Sequence, residues 1–168
     1  MKKIILIILF LTISVSASAV TSTKFIQKFE EWELFKKTTQ NEHHCIIISH
    51  PESSAGFPGF RDKPYISFTT VKGGKFTFSI YSGFILNKNE PIQVFIEDNI
   101  FFLKIFRNFF AYTYDSNDDE KLLRAIKESK GLMRVRTVNN EMAVANDYYA
   151  IKGLSHGLNF MLNSSHCN

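Results

Sequence analysis

Cys45 and Cys167 are the only cysteines in the chain, and they stand near opposite ends of its foldable part. Whether they pair depends on the compartment, which the first residues indicate. Lys2 and Lys3 precede the apolar run from Ile4 to Val15, and the small residues Ala17-Ser18-Ala19 close it. That is the layout of a secretory signal peptide over residues 1–19, cut before Val20. The run is shorter than the roughly 20 residues a spanning helix needs. Later apolar runs are interrupted by Asn, Lys, Arg or Asp, so no stable transmembrane segment is expected after cleavage. In an oxidising space two cysteines allow one intramolecular connectivity, Cys45 to Cys167. Closing a loop of that length stabilises a fold by about 4 to 5 kcal/mol in the chain-entropy treatment. The competing reading, a catalytic or metal-binding thiol, lacks any C-x-x-C spacing.

Cleavage leaves 168 − 19 = 149 residues, enough for one domain with a sizeable core. The formal charge of +4 falls to +2 when Lys2 and Lys3 leave, so a nucleic-acid partner is not implied. Residues 20–28 are polar and are expected to form a flexible leader, with the domain spanning 29–168.

Alternation of apolar and polar residues predicts strands over most of the chain. Phe29 to Phe35 is expected as the first, with Trp32 and Leu34 on one face, and His43 to His50 as the second. Glycine, proline and serine between Pro51 and Pro64 predict a long irregular loop. Tyr65 to Val71 and Lys75 to Tyr81 read as a hairpin turning at Lys72-Gly73-Gly74. Further strands are expected over Pro91 to Ile96, Ile100 to Arg107 and Phe109 to Tyr114. A helix is predicted to start at Asp115–Glu120 with Ser116 as cap and Asp119 at capping-box spacing, and to end near Ser129 with Gly131 left-handed. Leu132 to Val138 and Met142 to Ile151 read as a hairpin turning at Asn139-Asn140. Leu154, Leu158, Met161 and Leu162 make the apolar stripe of a closing helix. Strands at intervals of about ten residues with only two short helices predict a mainly β fold, an antiparallel β-sandwich.

No residue pattern points to catalysis or a cofactor. His43 and His44 are adjacent and face opposite ways on a strand, His50 is far along it, and His156 and His166 flank the last helix without a third ligand. The acidic run Asp115, Asp118, Asp119, Glu120 has a plainer role in starting the helix than in holding calcium. No G-x-S-x-G, H-E-x-x-H or phosphate-cradling glycine loop occurs. The metal, cofactor and enzyme expectations are therefore negative. Candidates for partner binding are Arg134 and Arg136, which project from one strand face near Arg124, Lys127 and Lys130, and Phe57, Phe60 and Arg61 in the long loop.

The order of several segments resembles the invasion-associated locus B family of bacterial secreted or periplasmic proteins. The matching pieces are Phe29-Glu30-Glu31-Trp32, Cys45 through Pro51, Arg61-Asp62-Lys63-Pro64-Tyr65-Ile66-Ser67-Phe68-Thr69, and Ala111-Tyr112 through Ile126. Asp147-Tyr148-Tyr149-Ala150-Ile151-Lys152-Gly153-Leu154, followed by a helix and Cys167, carries most of the resemblance. The resemblance implies an immunoglobulin-like sandwich, a periplasmic or secreted location in the bacterial cell envelope, and a role in host-cell association or invasion without an enzymatic mechanism. The chain departs from the family where a glycine-rich turn with arginine reads Thr137-Val138-Asn139-Asn140-Glu141. The expected function is non-enzymatic binding of an envelope or host-cell component. Alternatives are a small secreted hydrolase using the loop after Pro51, or a purely structural envelope-stability protein.

Overall fold

A computed structural model describes residues 21–39, 42–57, 59–71, 74–165 and 167. The expected signal segment 1–19, Lys72 and Gly73 of the expected turn, and His166 lie outside the described residues.

Two antiparallel sheets face each other, as expected for a β-sandwich. The strands are β1 (Ser22–Phe29), β2 (Trp32–Thr38), β3 (His43–Ser49), β4 (Ser53–Ala55), β5 (Tyr65–Val71), β6 (Lys75–Tyr81), β7 (Ile92–Ile96), β8 (Asn99–Leu103), β9 (Ile105–Arg107), β10 (Phe110–Tyr112), β11 (Leu132–Val138) and β12 (Val144–Ala150). Helices α1 (Ser116–Glu128) and α2 (Leu154–Asn163) complete the order. The larger sheet has seven strands in the order β1-β2-β3-β5-β6-β10-β9, and the smaller has five in the order β4-β12-β11-β7-β8. Inward positions alternate as the pleat requires: Trp32, Leu34, Ile47, Phe68, Phe78 and Ile80 from one sheet meet Val94, Ile96, Met133, Val135 and Tyr149 from the other. Trp32 also ties the sheets by donating its indole N–H to the Ala150 carbonyl at 3.0 Å.

Several local expectations are corrected. Residues expected as a flexible leader form β1, which pairs with β2 from Ser22↔Thr38 to Phe29↔Trp32. The expected strand Phe29 to Phe35 is cut by a turn in which Glu30 takes φ 53°. The loop after Pro51 contains β4, paired with β12 through Ser54↔Asp147. The run from Ile100 to Arg107 divides at Lys104, with β8 in the small sheet and β9 in the large one. Changing sheets there turns a corner of the sandwich, which a periodicity of two does not reveal.

Asp115, not Ser116, caps α1: its carboxylate accepts the N–H groups of Asn117 and Asp118 at 2.9 and 3.0 Å. Asp119 points inward instead, accepting from the Phe78 N–H at 2.8 Å and the Thr113 hydroxyl at 2.6 Å. Strand β10 stops pairing with β6 at Tyr112↔Ser79, so the Asp119 carboxylate serves the first β6 amide beyond the ladder. Helix α1 ends on Ser129 in extended conformation, and Gly131 is not left-handed. Asn139 shapes the β11–β12 turn, where its side-chain oxygen accepts from Glu141 and Ala143 at 2.9 and 2.8 Å.

Helix α2 covers one end of the large sheet, burying Leu154, Leu158 and Met161. Gly153 caps it at φ +93°, with a Cβ there running into the Phe29 carbonyl, so the close approach excludes any larger residue. Cys167, just beyond α2, is bonded to Cys45 in β3 with Cα atoms 5.4 Å apart.

Candidate interaction surface

The candidate residues of the long loop turn inward. Arg61 lies almost wholly beneath the surface, and its guanidinium bonds the Asp147 carboxylate through both terminal nitrogens, Nη1 to Oδ2 at 3.0 Å. Ser54 donates to the same carboxylate at 2.6 Å. Phe57 stacks on Phe84 with centroids 4.8 Å apart, and the Arg61 guanidinium sits 5.9 Å from each ring. The sequence expectation of an exposed Phe57–Arg61 docking loop is therefore corrected: a cation on an aromatic pair, neutralised by a buried carboxylate, holds the loop against β12. Only Phe60 is available, at 95 % exposure.

The same network contains a polar group without a partner. The Tyr149 hydroxyl is buried and, among the described residues, unbonded. Burial, and then the nearby Asp147 charge, push its pKa well above the usual tyrosine value, while Arg61 pulls the other way.

Arg134 and Arg136 do share a face, the outer one of the five-stranded sheet. Register fixes their neighbours in two rows, Ile100–Phe95–Arg134–Tyr148 and Phe102–Gln93–Arg136–Asn146. Arg134 lies flat on Phe95, its guanidinium carbon 3.8 Å from the ring centroid, which desolvates one side of the cation and leaves the other available. Ile100 and Phe102 are about half exposed beside them, at 51 % and 45 %. No carboxylate occupies an outward position in these rows, and no described acidic side chain forms an ion pair with either arginine. These rows thus set two cations, without an ion-pair partner among the described residues, beside exposed apolar side chains. The expected companions Arg124, Lys127 and Lys130 do not join it, because α1 packs against β6 of the other sheet.

Sequence reasoning missed an aromatic ladder on the outer face of the seven-stranded sheet. Tyr65, Tyr81 and Phe110 are cross-strand neighbours, with Tyr65 and Tyr81 stacked at 5.0 Å and Phe110 5.0 Å from Tyr81. Burial raises the pKa of both tyrosines, aided at Tyr81 by its hydrogen bond to Asp62. The signal was present in the outward alternation of β5 and β6, but finding it requires knowing which strands are adjacent. Tyr65 and Tyr81, stacked face to face, cover one another, while Phe110 tilts against Tyr81.

Three histidines have local partners, His43 bonding the Thr38 hydroxyl at 3.2 Å. His50 Nδ1 donates to the Pro64 carbonyl at 2.8 Å, and His44 contacts Glu42 at 3.0 Å. Among the described residues no group of three or more His, Cys, Asp or Glu is placed to hold a metal ion. Among them, too, no helix is long and apolar enough to cross a membrane.

These features define a class: an antiparallel β-sandwich of seven and five strands, stapled by a disulfide from a strand of the larger sheet to the segment after the closing helix. A solved structure of this fold is the crystal structure of invasion associated protein B from Bartonella henselae, similar with a TM-score of 0.59 at 12 % identity, over 85 % of this chain and 95 % of that one. The relation is one of fold. No family model matches the sequence, and no curated protein matches it.

Proposed function

We propose that this chain is a non-enzymatic, exported envelope protein of the invasion-associated locus B type, and that it binds an envelope or host-cell component through the outer face of its five-stranded sheet. The observation that carries the reading is the pairing of Arg134, stacked on Phe95, with exposed Ile100 and Phe102 in cross-strand rows that hold no carboxylate. Such a surface fits a partner segment with apolar side chains and acidic groups, the apolar contacts giving affinity and the arginines orientation. The fold shared with the Bartonella protein and the Cys45–Cys167 bond support an oxidising, extracytoplasmic setting.

The test is recovery of partners from envelope and host-cell fractions with the oxidised protein and with an Arg134→Glu/Arg136→Glu variant. A saturable partner held by the native protein and lost by the variant is the expected result. Equal recovery by both moves the site off this face, and recovery no better than a denatured control removes the binding reading. Turnover in a screen of ester, peptide and glycan substrates replaces it with the hydrolase.

A further inference from the structure

Of the four sheet edges, three are blunted against pairing. Strand β1 carries Lys24 and Lys28 and a register irregularity between Phe25 and Gln27, and β4 and β9 are three residues long. These are ordinary devices against edge-to-edge association. Strand β8 has none of them: Asn-Ile-Phe-Phe-Leu is five residues long, uncharged, and exposes Ile100 and Phe102. Its outer side pairs with no strand among the described residues, and the segment from β10 into α1 stands across from it. A cleft of about 420 Å³ runs there, lined by Ile100, Phe101, Phe102 and Lys104 on the β8 side, with Thr113, Tyr114 and Asp118 opposite.

The hairpin to β7 determines which backbone groups face outward. Ile96 and Asn99 flank a two-residue turn, so Asn99, Phe101 and Leu103 exchange hydrogen bonds with β7. The N–H and C=O of Ile100 and Phe102 then point away from the sheet.

We infer that β8 is a homotypic pairing edge, at which a second copy of this chain adds its own β8 antiparallel across a two-fold axis. Outward-pointing residues must pair with outward-pointing residues, which leaves few registers. In the register that sets Ile100 opposite the second copy's Phe102, the same two-fold sets Phe102 opposite its Ile100. It also carries Asp98 beside the second copy's Lys104, and Lys104 beside its Asp98. Asp98 and Lys104 are exposed and form no ion pair with any described residue. Shifting by two residues either way breaks the match, setting Phe102 opposite Asp98 or Ile100 opposite Lys104. Apolar and charge complementarity thus select the same arrangement, and a self-complementary patch is what a two-fold interface requires. The small sheets of the two copies join into one of ten strands, with the Arg134/Arg136 face of each copy on the same side. This inference does not depend on what that face binds.

The experiment is sedimentation equilibrium of the oxidised protein over a concentration series, with Asp98→Lys, Lys104→Asp and the double exchange. Both sites are exposed, and circular dichroism checks that each variant keeps its strands. A dimer is expected. Each single exchange puts like charges together twice per dimer and weakens association at least about tenfold, and the double exchange restores it. In parallel, the Ile100 and Phe102 amides should gain hydrogen-exchange protection as the dimer forms. The proposal is overturned by a monomer at every concentration. A dimer indifferent to the charge exchanges also overturns it, as does protection of those amides only when a foreign extended peptide is added.

Discussion

Arg61, in the loop before β5, bonds through two guanidinium nitrogens to the carboxylate of Asp147 at the centre of β12, 86 positions further along the chain. Asp147 is 2 % exposed and Arg61 10 %. Neither ion would be stable at that depth alone, so the pair fixes the loop to the small sheet. Removing one partner leaves an uncompensated buried charge. Arg61→Ala is expected to lower stability by about 3 to 5 kcal/mol in denaturant unfolding. A loss below about 1 kcal/mol would show the pair to be solvated.

Tyr149→Phe in the same network has the opposite expectation. The hydroxyl is buried with no partner among the described residues, so deleting it keeps the ring packing and removes a desolvated dipole, leaving stability unchanged or raised by about 1 kcal/mol. The alkaline limb reads the same group. A folded pKa raised above the unfolded one gives stability that is full below the unfolded value, near 10, and is lost as pH rises through the folded one. Tyr65 and Tyr81 add to that loss in the same sense. Thermal unfolding at rising pH should show a shallower alkaline decline for Tyr149→Phe, and an unchanged profile counts against the assignment.

Asp119 gives an acid-side prediction. Burial raises its pKa, against the lowering effect of its bonds from Thr113 and Phe78, and the raised value means stability falls as pH climbs from the ordinary aspartate pKa through the folded one. Asp119→Asn retains an acceptor for Phe78 N–H and Thr113 while discarding the charge, so it should flatten that slope and leave the neutral-pH protein at least as stable. Asp119→Ala strands a β6 amide and should cost about 1 to 3 kcal/mol. Urea midpoints across the acid range distinguish the two.

Free-thiol labelling of the native protein should fail at Cys45 and Cys167, and a Cys45→Ser/Cys167→Ser variant should lose about 4 kcal/mol. Two reactive thiols in the native chain would falsify the closure.

At Gly153 a side chain meets the Phe29 carbonyl in a left-handed backbone conformation. Gly153→Ala is expected to destabilise the protein by about 2 kcal/mol or more and to loosen α2 first. Faster hydrogen exchange at Leu158 and Met161 than in the central strands is the corresponding signature.

By itself the sequence determined the sandwich class, the strand-rich order, both helices and the cysteine pair. Each follows from local periodicity or, for the cysteines, from there being only one way to join two. Trp32 and Leu34, both buried, were legible as sharing one face because alternation assigns faces without knowledge of neighbours. Tertiary structure alone decided what those faces meet. Arg61 looked like a surface cation because nothing nearby in sequence is its counterion, and Phe57 like a docking ring because Phe84 lies in another segment. Lys104 gave no sign that the strand changes sheets there. Arg134 and Arg136 were placed on one face correctly, but their setting among Phe95, Ile100 and Phe102 depends on β7 lying between β11 and β8. Pairing partners, loop burial and edge exposure are non-local, set by which strands the collapsed chain brings side by side. They also decide whether a cation is a buried clamp, as at Arg61, or part of an open surface, as at Arg134.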